Sequence, residues 1–304
     1  MGAFGQNTIG PSQRSRSTVF PIGHSRGLVR AGLKNKGEQV GTMPSAWMRG
    51  FLIVLLVFFA PMAGCLGGAV DDLVPERKGI PGGLTLACLQ DDRFTSMVVE
   101  IDYEAGYKPL TSSTDMLLER LESVCAKPNG ITLEFEAVNF DHDGAWSDTD
   151  VRTEAWAAKS GEVQDGGVLR WQIIFPAGEY DQDGVLGVAV DASTVALFGD
   201  TIQNADGPFG RPSVEDVENS VIIHEVGHLL GLVNLVYTSP VDHEDDDHPG
   251  HSSNEDSVMY WAVNSADLAN IFFSSLPNEF DENDLNDLAG LADGSIAATD
   301  QLWT

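Results

Sequence analysis

Polar and apolar residues alternate with a period of two across SMVVEIDY (Ser96–Tyr103) and again across ITLEFEAVNF (131–140), which predicts two strands with one face buried. LRWQIIF (169–175) is apolar on both sides and reads as a strand covered on both faces, while 185–190 and 194–198 read as two shorter strands. Between the first two strands, STDMLLERLESVC (113–125) spaces its apolar residues by three and four behind a Ser/Thr start, as a helix does. The run VIIHEVGHLL is apolar on nearly every side, so a helix there is buried, and Ser213 with Asp216 just after Pro212 supplies a capping-box-like start. EFDENDLNDLAGLA (279–292) predicts a last helix, and no internal repeat is visible. The resulting order, β, α, β, β, β, β, α and a terminal helix, describes an α+β domain.

The buried helix carries three polar residues, His224, Glu225 and His228, which are costly inside unless partnered. Residues four apart share one helical face, so His224 and His228 can point both imidazoles at one ion, and zinc is the expected cation. Glu225, one position on, then stands beside any water at that ion, where a carboxylate serves as general base. Gly231 provides the turn that ends the helix, because such a turn asks for a residue that tolerates positive φ. A helix with two incidental histidines is the bland alternative.

HEVGHLLGLVN, with Met259-Tyr260 downstream, resembles the metzincin clan of zinc endopeptidases, whose motif is H-E-x-x-H-x-x-G-x-x-H followed by a methionine turn. The resemblance departs at Asn234, which stands where the clan has its third histidine, and a carboxamide is a poor zinc ligand. The acidic stretch that follows offers His243, His248 and His251. In matrixins, a metzincin family, the third histidine precedes the turn methionine by eight residues, as His251 precedes Met259 here. His251 is therefore the expected third ligand, with His243 second and His248 and Asn234 as further alternatives. The resemblance also implies a twisted, mixed five-stranded sheet with an active-site helix and a backing helix, and a small irregular C-terminal subdomain ending in a helix. One antiparallel edge strand, for which 185–190 is the candidate, would pair with an extended peptide substrate. Met259 would pack beneath the metal.

Charge and the N-terminus change the setting rather than the chemistry. Seven of the 17 Lys and Arg but only one of the 46 Asp and Glu precede Cys65, which leaves a strongly acidic remainder that disfavours nucleic acid and anionic surfaces as partners. The apolar run at 51–62, then Ala63-Gly64-Cys65, resembles a lipoprotein signal in which Cys65 is lipidated. An uncleaved membrane anchor is the competing reading. Either places the acidic portion on the extracellular face of the membrane. On this basis 1–47 is a basic extension, disordered or preceding the true start. Residues 48–65 are signal or anchor, 66–83 a linker, 84–296 the catalytic domain and 297–304 a tail. Cys88 and Cys125 are expected to form a disulfide, the sharper alternative being a Cys88 that blocks the metal. Asp141-His142-Asp143-Gly144 and Asp181-Gln182-Asp183-Gly184 make calcium a second candidate cation, against ordinary solvated turns. Three functions are carried forward: a membrane-tethered zinc endopeptidase, a non-catalytic metal-binding surface lipoprotein, and a zinc amidase acting on cell-wall peptides.

Overall fold

The computed structural model describes residues 79–207, 210–265 and 275–302. The basic extension, the apolar run with Cys65 and the linker up to residue 78 lie outside the described residues. Among those described, no helix is long and apolar enough to cross a membrane.

The elements follow in the order α1 (Thr85–Leu89), β1 (Ser96–Tyr103), α2 (Thr111–Val124), β2 (Ile131–Ala137), α3 (Asp148–Ala158), β3 (Gln164–Asp165), β4 (Val168–Phe175), β5 (Gly187–Ala189), β6 (Thr194–Leu197), α4 (Gly199–Gln203), α5 (Val214–Leu229), a 3-10 turn (Trp261–Asn264) and α6 (Glu282–Asp293). The sheet runs β2-β1-β4-β6-β5, with β3 attached to β4. β1, β2, β4 and β6 pair in parallel, and β5 closes one edge antiparallel to β6. The sheet is mixed, as expected, but has six strands rather than five, because β3 folds back on β4 as a two-residue hairpin.

Alternation in the parallel strands produces two unlike faces. Val99, Ile101, Trp171, Ile173, Val195 and Leu197 point to one side and pack with Leu117 and Leu121 of α2 and Val221 and Ile222 of α5 in the main core. Burial of side chains of this size stabilises by roughly 1.5–3 kcal/mol each, so this face anchors α5 to the sheet. The opposite face is covered by α3, whose Val151 and Ala155 join Ile174, Ala196 and Phe198 in a smaller core. A polar layer lies on that same face. There Glu100 accepts from Ser160 and Arg170, and the amide of Gln172 donates to buried Asp102 at 2.6 Å.

Cys88 at the end of α1 is bonded to Cys125 just after α2, with the Cα atoms 4.9 Å apart. The Lys127 ammonium donates to the carbonyls of Cys88, Gln90 and Ala126 beside this bridge. Residues 79–83, at the end of the stretch read as linker, meet the last described residues. Leu302 donates to the Gly83 carbonyl, and the Gln301 amide donates to that of Gly82.

Candidate metal centre

Helix α5 places the histidines. Its N-terminus is closed by a reciprocal capping box between Ser213 and Asp216, with Glu215 and Asp216 complementing the positive end of the helix. Eleven turn-facing positions from Val217 to Leu229 are buried, among them His224 and Glu225, neither of which is accessible to solvent. The His224 and His228 rings, one turn apart, have centroids 4.8 Å from each other. Gly231, at φ 86°, ends the run and lets Leu232 turn back, so that the Leu232 carbonyl accepts from His228 Nδ1 at 3.0 Å.

His251 arrives from the loop and completes a triangle, its ring centroid 5.2 Å from that of His224 and 5.1 Å from that of His228. One ring nitrogen from each of the three lies within 4.8 Å of the others. The remaining nitrogens are committed elsewhere. His224 Nδ1 donates to the Val258 carbonyl at 2.7 Å, and His251 Nδ1 donates to the Pro249 carbonyl at 3.3 Å. Since a carbonyl only accepts, all three Nδ1 atoms carry the proton and all three Nε2 atoms present lone pairs. His224 Nε2 is buried with no hydrogen-bond partner. Burial above all holds His224 well below the usual imidazole range and takes His228 down to about 3, with a further push from the neighbouring imidazoles. His251 is also lowered, mainly by burial. Three neutral imidazoles fixed by carbonyls on their far side form the donor set that zinc takes. His228 and His251 are only half-buried, so the centre opens to solvent on their side.

Glu225 lies against Gly187 of β5. Burial pushes its carboxyl up to about 8, the nearby backbone of Ala189 opposing this weakly, and neither oxygen has a hydrogen-bond partner of good geometry. Two glycines make room here. A Cβ on Gly187 of β5 would sit 2.7 Å from Glu225 Cγ, and one on Gly227 would sit 2.2 Å from Met259 Sδ. Met259 is fully buried, with its Sδ packed against Gly227 of α5.

The other three alternatives for the third ligand stand apart. Asn234, at φ 58°, donates to Glu244 and accepts from the Ser239 amide, which makes it a brace of the loop. His248 stacks on Trp261 at 4.3 Å and pairs with Asp245. His243 is buried against Asp287 of α6. Neither of the Asp-x-Asp-Gly tracts read for calcium belongs to a group of converging ligands among the described residues. The ring of His142 in the first packs at a tilt on Trp146, and the two tracts are joined by backbone bonds around Trp146 and Asp181, so they are tied turns.

The edge strand is shorter than the 185–190 read from the sequence, and its outer side is partly taken. The Asn264 carboxamide accepts from the Leu186 and Gly187 amides and donates to the Gly187 carbonyl at 3.0 Å, as a neighbouring strand would. Asn264 is a lone Asn after the methionine and carries no signal in the sequence. Only its place beside β5 reveals it.

The sequence matches no family model and no curated protein. Among solved structures, the chain is similar to archaemetzincin from Methanopyrus kandleri, at 13% identity and a TM-score of 0.44, over 65% of this chain and 96% of that one. It is also similar to archaemetzincin from Archaeoglobus fulgidus complexed with malonate, at 14% identity and a TM-score of 0.36, over 62% and 99%. Metalloproteinase-II from Bacteroides fragilis aligns at 14% identity and a TM-score of 0.37, over 66% of this chain and 55% of its own. Each of these likenesses is loose.

Proposed function

We propose that this chain is a zinc-dependent endopeptidase of metzincin type, with His224, His228 and His251 as metal ligands and Glu225 as general base. The observation that carries this reading is the convergence of three proton-free ring nitrogens, with the buried, unpartnered carboxyl of Glu225 next in the chain to His224. When bound there, zinc supplies Lewis-acid activation of a carbonyl and of water near neutral pH. The chain's own groups do the rest. The carbonyls of Val258, Leu232 and Pro249 hold the rings in one tautomer and orientation. The Glu225 carboxylate takes the proton of the attacking water and returns it to the leaving amine nitrogen. Gly187 and Gly227 leave the space in which Glu225 and Met259 sit.

Glu225→Gln is isosteric and removes the base. It is expected to keep zinc while losing peptide hydrolysis by on the order of 10²–10⁴-fold. Undiminished turnover in that variant would remove the mechanism. A non-catalytic metal-binding role is the second reading, favoured by Asn264 occupying the edge along which a substrate strand would pair. Stoichiometric zinc in the unaltered protein, with no cleavage of any peptide library, selects it.

A further inference from the structure

His243 is buried deeply, 4% exposed, yet only one of its nitrogens has a hydrogen-bond partner. Nε2 donates to Asp287 at 2.9 Å, and Asp287 also accepts from Tyr237 Oη and Ser239 Oγ, so that carboxylate is fully engaged. The bond puts a proton on Nε2, and in the neutral ring the lone pair is then on Nδ1. Nδ1 faces Asp284 Oδ1 at 3.9 Å, and both atoms are buried and unpartnered. That separation is too long for a hydrogen bond. It matches two ligand atoms on one ion, which stand roughly 3–4 Å apart when each bond is about 2.0–2.2 Å.

Asp281, the N-cap of α6, brings a carboxylate oxygen within 4.8 Å of both His243 and Asp284. The other contacts of these two carboxylates hold them in place: Asp284 Oδ2 accepts from Ser257 Oγ and the Asp281 backbone amide, while Asp281 accepts from the Asn254 side-chain amide at Oδ2 and from the Asp284 backbone amide at Oδ1. Two buried carboxylates, Asp284 and Asp287, and the partly buried Asp281 thus surround one imidazole, and gathering that much negative charge there is costly without a cation.

We propose that His243, Asp281 and Asp284 bind a second divalent cation, of the zinc class, that fastens the loop bearing His251 to helix α6. One imidazole with two carboxylates suits zinc and the neighbouring transition ions better than calcium or magnesium, which take all-oxygen sets. The carboxylate behind the histidine is the usual support of such a ligand. The position gives the ion a purpose. His243 is the anchor for Ser253, whose amide and hydroxyl both donate to its carbonyl, and Ser253 is two residues from His251. Ser257, held by Asp284, donates nothing to the centre but accepts from the Met259 amide, so the same ion also steadies the methionine turn.

The test is a zinc count on the full-length protein, loaded with zinc and freed of excess by gel filtration, by elemental analysis against protein concentration. The unaltered chain is expected to hold about two ions. Asp284→Asn is chosen because its carboxamide can still accept from Ser257 while donating to His243 Nδ1, which keeps the fold. It is expected to lose one ion and to speed protease cutting within 243–257. His224→Ala/His228→Ala is expected to lose the other ion and keep this one. Should Asp284→Asn fail to fold, the double histidine variant decides alone: a bound zinc supports the proposal, and none overturns it. An Asp284→Asn protein with the same zinc count as the parent also overturns it. Loss of zinc in Asp284→Asn with no loss in the double histidine variant would retain this site and reject the three-histidine centre.

Discussion

Gly187→Ala isolates the placement of the general base from metal binding. The residue lies in β5 at an ordinary φ, so alanine brings no backbone strain. Its Cβ would stand 2.7 Å from Glu225 Cγ, 3.0 Å from Oε1 and 3.1 Å from the Ala196 carbonyl. An ordinary contact starts near 3.4 Å, so Cγ must retreat by about 0.7 Å, and the backbone oxygen on the other side limits how far β5 can yield. Overpacking of this size costs about 1–3 kcal/mol of stability. A displacement approaching 1 Å at a reacting group costs up to about 10²-fold in rate. The expected result is a fall in kcat of about ten- to a hundredfold with the zinc content unchanged, read with a fluorogenic peptide and elemental analysis. In a Glu225→Gln background the same substitution should add nothing further, since the group it displaces no longer works as a base. Unaltered kcat in Gly187→Ala, with full zinc, would refute the role assigned to the Glu225 carboxyl.

Two further outcomes concern the scaffold. Burial, reinforced by the charges of Glu100 and Glu136, raises Asp102 to about 6 from 3.8, against the opposing effects of the Gln172 hydrogen bond and Lys159. The folded state therefore binds this proton more tightly, so the contribution is fully present below pH 3.8 and is lost as pH rises through about 6. Asp102→Asn should abolish a fall of about 3 kcal/mol across that window, measured by urea unfolding as a function of pH, and an unchanged slope would refute it. Cys88→Ser/Cys125→Ser removes a link across 37 residues and is expected to cost roughly 4 kcal/mol, seen as a lower urea midpoint than the oxidised parent, with no difference under reducing conditions.

Local pattern carried much of the fold. β1 begins and ends at the residues where alternation does, and α5 starts at the Ser213 cap and ends two residues before Gly231. Helix α3 escaped because DTDVRTEAWAA is polar over most of its surface, and its capping box uses Asp150 where the usual pattern has Glu or Gln. β3 is only two residues long, too short for any period to register. Of the metal centre, His224, Glu225 and His228 lie in one helical turn, so spacing alone groups them. The third nitrogen depends on how a long loop closes, and Asn234, nearer in sequence, is turned away to brace Glu244 and Ser239. What orients that loop, the contacts of His243, Ser253 and Ser257 with one another and with α6, joins residues up to 44 apart and has no local signature.

The most direct test is a crystal structure of the zinc-loaded protein with anomalous scattering recorded at the zinc edge. The expected result is a peak bonded to Nε2 of His224, His228 and His251 at about 2.0–2.1 Å, with a coordination position left facing solvent. A zinc peak held instead by His248 or Asn234, or no peak between the two α5 histidines, would contradict it.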